Sequence, residues 1–142
     1  MNAIFSVNYS KLSPNTIATD VLPKFGIGDI SECVFFTGGF SDTYRVKTDD
    51  GQIFYLRVYR RSWRTLADIQ YELDVLNYLK QKDFPAARPV CYQDGKLFCV
   101  LPAPEGIRYL ALFTEASGPE ISYDHEPQKV AKRYGHAVAE MH

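Results

Sequence analysis

Phe36-Thr37-Gly38-Gly39-Phe40-Ser41-Asp42-Thr43-Tyr44-Arg45-Val46 is the stretch on which the fold turns. From Cys33 to Thr37 the residues are largely apolar or β-branched. Gly38-Gly39 interrupts that character and Thr43 to Val46 resumes it, the pattern of a strand, a glycine turn and a second strand. Asp49-Asp50-Gly51 makes a further turn, after which Ile53 to Tyr59 alternates. Phe54, Leu56 and Val58 fall on one face, Tyr55, Arg57 and Tyr59 on the other. Three consecutive antiparallel strands are expected.

Working outward, Leu66, Ile69, Leu73, Leu76 and Leu79 step by three or four residues and form the apolar stripe of a long helix from about Thr65 to Lys82. Pro85 and Pro89 end it. Val90 to Gln93 and Lys96 to Leu101 then flank an Asp94-Gly95 turn, where a two-residue hairpin would pair Val90 with Cys99 and Cys91 with Phe98. Arg108 to Thr114 is another strand, and Val130, Tyr134, Ala137, Val138 and Met141 mark a C-terminal helix beginning near Pro127. Upstream, Ser13-Pro14 reads as a cap and N1 proline for a short helix closed by Pro23 and Gly26. A sheet with one packed helix is an α+β layer. The helix still running at His142 suggests a piece of something longer.

The 142 residues suit one domain, and 46% hydrophobic with 23% charged residues is a globular composition. Sixteen Lys and Arg against seventeen Asp and Glu remove the overall basic field of a dedicated nucleic-acid binder. No apolar run approaches the ~18 residues of a membrane span, and the first ten residues do not resemble a secretion signal. The expectation is a cytoplasmic protein with neither membrane nor nucleic-acid partner. Three cysteines without C-x-x-C spacing give no zinc signature, and reduced structural thiols are expected.

Four features carry chemistry. Gly38-Gly39-Phe40-Ser41-Asp42 lies between two strands, where glycine lets backbone N–H groups approach an anion. A plain tight turn would use the same glycines. Arg57 projects from the polar face of its strand, while Glu72 sits about 60° from the centre of the leucine stripe and can reach back to the sheet. A strand cation held by a helix carboxylate positions charge against phosphates; separately, the two would be ordinary surface charges. Arg57, Tyr59, Arg60, Arg61, Trp63 and Arg64 interleave cations and aromatics in a way that suits single-stranded nucleic acid, or equally a solvated connection with snorkelling arginines. Thr114-Glu115-Ala116 leaves a strand end whose backbone groups could take a purine edge or simply face water.

In this order the pieces resemble the N-terminal lobe of the aminoglycoside phosphotransferase family, the protein-kinase-like fold shared with choline and homoserine kinases and bacterial stress-response kinases. The resemblance runs from about Pro14 to His142 and rests on the glycine stretch above, Phe54-Tyr55-Leu56-Arg57-Val58-Tyr59-Arg60, Tyr71-Glu72-Leu73-Asp74-Val75-Leu76 and Leu112-Phe113-Thr114-Glu115-Ala116-Ser117-Gly118. It implies a protein-kinase-like lobe with an antiparallel five-stranded sheet, one long helix, an N-terminal helix and a C-terminal linker helix. Residues 1–13 would be a flexible start, 14–116 the ATP-binding lobe, and 117–142 the hinge, linker and first part of a C-terminal lobe.

The resemblance further implies that Gly38, Gly39 and Ser41 cover the phosphates of ATP and that Glu72 is the helix carboxylate. Tyr55 would stack on adenine, and Thr114 and Ala116 would offer it backbone groups. Arg57 stands where the family often has lysine. Phosphoryl transfer in this fold also needs an aspartate, an asparagine five residues on and a second aspartate for Mg²⁺. In this sequence no histidine is followed two residues later by aspartate, and no aspartate precedes Asn15 or Asn77 by five. Catalytic and metal residues are therefore expected to be lacking, with Mg²⁺ belonging only to a full-length enzyme. The expected partners are a nucleotide and either the C-terminal lobe, another protein or a second copy on the exposed cleft face. Rival readings are a non-catalytic kinase-like binding module and a nucleic-acid-binding sheet using Arg57 to Arg64.

Overall fold

The computed structural model describes residues 5–118 and 126–142. An opening helical segment, α1, is α-helical at Pro14–Thr16, wider over Ile17–Val21 and tighter over Leu22–Phe25, and Gly26 ends it with a left-handed φ of 65°. Pro14 sits at the first helical position, but the Ser13 side chain makes no capping bond. Then come β1 (Ile30–Thr37), β2 (Ser41–Thr48), β3 (Ile53–Tyr59), α2 (Leu66–Gln81), β4 (Pro89–Val90), β5 (Cys99–Ala103), β6 (Gly106–Thr114) and α3 (Pro127–Met141). Thr65 caps α2 through a reciprocal box: its hydroxyl accepts from the Asp68 N–H, and the Asp68 carboxylate accepts from the Thr65 N–H.

The sheet is antiparallel throughout, in the order β1-β2-β3-β6-β4. The expected five strands occupy five positions, and a sixth shares the last. β4 takes one end of the outer edge of β6, at Phe113 and Leu112, while β5 takes the rest, from Leu110 to Gly106. The expected pairing of Val90 with Cys99 and Cys91 with Phe98 is therefore corrected, since Val90 faces Leu112 and Cys99 faces Leu110. The Asp94-Gly95 turn exists, closed by the Tyr92 N–H donating to the Lys96 carbonyl at 2.8 Å, but no ladder grows from it. The long open edge of β6 satisfies the backbone of both flanking segments instead.

Alternation along the strands gives two cores. Tyr44, Val46, Leu56, Val58, Leu110 and Leu112 meet Ile17, Val21, Leu22 and Phe25 of α1 on one face. Tyr59, Ala111 and Phe113 meet Ile69 and Leu73 of α2 on the other. The sheet is thus covered on both faces, α1 taking the side opposite α2. Burial pushes the Cys33 and Cys99 thiols up to about 11, and all three cysteines are free.

Part of the expected flexible start is tied down. The Tyr44 hydroxyl donates to the Leu12 carbonyl at 2.7 Å, the Tyr9 hydroxyl to Asp42 at 2.5 Å, and the Ser10 hydroxyl to Glu105 at 2.6 Å. These contacts converge on Arg108, whose side chain is fully buried. It donates to the Tyr59 carbonyl at 2.7 Å, Glu105 at 2.8 Å, the Ser10 carbonyl at 3.1 Å and Asp42 at 3.4 Å. Each buried charge has a partner, the condition for tolerating it away from water.

Candidate functional site

β1 and β2 meet at the Gly38-Gly39 turn, and each glycine has its own reason to be there. Gly39 takes a φ of 155°, and a Cβ on Gly38 would come within 3.2 Å of the Phe35 ring and 3.4 Å of Asp42. Asp42, anchored by Arg108 and Tyr9, holds the root of this hairpin from the far face of the sheet.

On the near face, Thr43 pairs with Arg57 across β2 and β3, and Arg57 with Ala111 across β3 and β6. The expected meeting of strand cation and helix carboxylate is present: Arg57 Nη1 donates to Glu72 Oε1 at 2.6 Å. Sequence reasoning missed a third member. Arg64 Nη1 donates to the other carboxylate oxygen, so Glu72 bridges two guanidinium groups. Ser62, with a left-handed φ of 64°, turns the β3–α2 connection there, and no signal in the sequence announces that bend.

Phe40, Ser41, Thr43, Arg57, Tyr59, Trp63 and Arg64 enclose an open cleft of about 560 Å³. None of the described side chains that line it is acidic. Phe40 and Trp63 meet edge to face at 5.0 Å and form its outer lip. Tyr59 is 2% exposed and its buried hydroxyl has no hydrogen-bond partner. Burial first, and then the Glu72 carboxylate, push its phenol above the ordinary value, which keeps it a donor. The cleft therefore suits an anion: two forked cations and the Ser41 and Thr43 hydroxyls line it, while the Tyr59 hydroxyl lies buried behind them.

Further along the face, Tyr55 lies beside the Phe36 ring, centroids 5.5 Å apart, and opposite Phe113 in the ladder. At the strand end the Thr114 N–H is committed to the Arg88 carbonyl at 3.0 Å and the Glu115 N–H to the Ile53 carbonyl at 3.2 Å. Among the described residues the Ala116 backbone enters no such bond. Arg57, with Glu72 against it, and Tyr55 thus share one face of the sheet, with the glycine hairpin at the β1–β2 turn and Thr114–Ala116 at the end of β6. The Arg57–Arg64 segment does not form one basic surface. Arg57 and Arg64 grip Glu72, Arg61 donates to the Glu105 carbonyl at 2.5 Å, and Arg60 lies over the Tyr9 and Trp63 rings. Among the described residues no group of three His, Cys, Asp or Glu side chains could hold a metal ion, and no helix is long and apolar enough to cross a membrane.

The sequence profile of the phosphotransferase enzyme family matches residues 32–142. The chain belongs to this family. An uncharacterized protein of Synechocystis sp. is 39% identical over 112 residues, covering 78% of this chain and 30% of that protein. Another, from Deinococcus radiodurans, is 33% identical over 138 residues, covering 97% of this chain and 39% of that one. Among solved structures, the amicoumacin kinase hAmiN in complex with AMP-PNP, Ca²⁺ and Ami superposes with a TM-score of 0.66 at 21% identity, over 77% of this chain and 33% of that one. A microcompartment-associated aminopropanol kinase gives a TM-score of 0.61 at 25% identity, over 75% and 33%. This phosphotransferase-family chain is an α+β kinase-like N-terminal lobe, and it spans between 30% and 39% of the length of these relatives.

Proposed function

We propose that this chain is the ATP-binding lobe of a kinase-like phosphotransferase. In this reading Gly38, Gly39 and Ser41 cover the phosphates and Arg57, oriented by Glu72, meets them from β3. Tyr55 packs against adenine, whose edge meets the Thr114 carbonyl and the Ala116 N–H. The observation that carries it is the Arg57–Glu72 pair, held at 2.6 Å, with Arg57 lining the cleft and Glu72 behind it. An ion pair tethers the guanidinium without burying it, and Arg57 remains 37% exposed toward the cleft. Arginine offers a planar fork where lysine would offer a point charge, so its phosphate contacts would be bidentate.

In a full-length enzyme the reaction is transfer of the γ-phosphate to a hydroxyl, with Mg²⁺. The acceptor is a small molecule of aminoglycoside, homoserine or choline type, or a protein Ser/Thr. The amicoumacin and aminopropanol kinases support a small-molecule acceptor by analogy. A nuclear magnetic resonance titration tests the reading. ATP should shift the amides of Gly38, Gly39, Ser41 and Ala116 together, whereas shifts confined to the far face around α1 would remove it.

A second reading, a binding module without turnover, is favoured by α3. Its Val130, Tyr134, Val138 and Met141 stripe buries no residue, and Tyr134 is 71% exposed. A face of that kind would meet a C-terminal lobe, a protein partner or a second copy.

A further inference from the structure

We infer that Arg64 is a second phosphate-binding cation of this cleft, acting beside Arg57, so that the site discriminates ligands by their number of phosphates. This rests on the ATP reading above and adds to it a residue outside the glycine hairpin and the strand–helix pair.

Among the described residues Glu72 is the carboxylate that contacts both Arg57 and Arg64, one guanidinium on each oxygen. Two cations on one carboxylate leave an excess positive charge, and none of the seven cleft-lining side chains is acidic. The two guanidinium groups repel one another, and a polyanion between them relieves that repulsion. Arg57 and Arg64 are 37% and 47% exposed, and each spends one N–H on Glu72, so most of the five donors on each fork remain free for phosphate oxygens. Glu72 fixes where both forks stand, which lowers the entropy lost on binding. Arg64 also lines the cleft beside Arg57, Ser41 and Thr43, whereas the Tyr59 hydroxyl is buried and leaves the phosphate contacts to the two exposed forks.

The test is calorimetric titration of the 142-residue protein and its Arg64→Gln variant with adenosine, AMP, ATP and inorganic tripolyphosphate, in metal-free buffer at fixed salt. Lys80→Gln, far along α2, controls for net charge. Arg64→Gln should leave adenosine within about twofold and weaken ATP and tripolyphosphate by about tenfold or more, the loss growing with phosphate count. Arg64→Lys keeps the charge without the fork and should fall between wild type and Arg64→Gln. It also serves as the deciding variant if Arg64→Gln does not fold. An equal loss for adenosine and ATP, no loss for ATP, or an Arg64→Lys protein indistinguishable from wild type would overturn the inference. If wild type binds tripolyphosphate in an Arg64-dependent way but gains nothing from adenosine, the ATP reading fails and the phosphate subsite stands. If it binds neither ATP nor tripolyphosphate, both fail.

Discussion

Replacing Arg108 by methionine should be the most destabilising single change on the α1 side of the sheet. The side chain is fully buried and is the common donor to Glu105, Asp42 and the carbonyls of Tyr59 and Ser10. Methionine fills much of the volume but leaves two carboxylates, each 1% exposed, without their cation. Breaking one side of a buried pair costs about 3–5 kcal/mol, which at a urea slope of about 2 kcal/mol/M lowers the midpoint by roughly 2 M. The exposed Arg45–Glu32 pair, 33% and 44% accessible, is the comparison; Arg45→Met should cost at most about 1 kcal/mol. The cluster also sets the acid limb. Burial pushes the Glu105 carboxyl up, but hydrogen bonds from Ser10, the backbone and Arg108 outweigh it and hold the group at about 2, against an ordinary 4.5. A depressed carboxyl stabilises fully above its unfolded value and loses that contribution as pH falls through the folded one. About 3 kcal/mol should therefore disappear between about pH 5 and pH 2. In Arg108→Met the limb should flatten only in part, because the Ser10 and backbone hydrogen bonds, which lower the carboxyl more than Arg108 does, remain. Urea melts across that range decide it: a loss under about 1 kcal/mol at neutral pH, with the acid limb unchanged, would mean that the buried cluster does not hold this face together.

Three further outcomes are expected. The 142-residue polypeptide should show no γ-phosphate transfer to any alcohol above background, because neither a His-x-Asp nor an Asp five residues before an Asn is present in it; turnover abolished by Glu72→Ala would contradict this. With Phe36, Phe40, Trp63 and Tyr134 all more than half exposed, the isolated chain should self-associate, and sedimentation at high micromolar concentration showing a strict, very stable monomer would count against that. Thr65→Ala removes the capping box that starts the helix carrying Glu72 and should lower stability by about 1 kcal/mol, read as a shift in the urea midpoint.

What the sequence disclosed was what lies close along the chain. Alternation in Ile53 to Tyr59 and the glycine pair placed β1 to β3, and the leucine stripe placed α2, so residue spacing put Arg57 and Glu72 within reach of each other, while their pairing rested on the neighbouring motifs. The second half of the sheet was harder. β4 and β5 compete for one edge of β6, and which backbone wins depends on the length of β6 rather than on the Asp94-Gly95 turn. Arg108 opens an otherwise apolar strand, a sign that it needed partners, yet Asp42 lies 66 residues away and Ser10 lies 98. Arg64 was visible only as one cation in a basic run. Its role depends on the left-handed Ser62, which local propensity does not foretell.

The proposed nucleotide site is tested most directly by titrating ATP into the 142-residue protein, Arg57→Ala and Arg61→Ala. Arg57 faces the cleft, whereas Arg61 is turned to the Glu105 carbonyl. Saturable binding by wild type, weakened about tenfold or more by Arg57→Ala and far less by Arg61→Ala, is the expected result. Binding that is absent in wild type, or that Arg57→Ala leaves unchanged, would rule out a nucleotide site built on the Arg57–Glu72 pair.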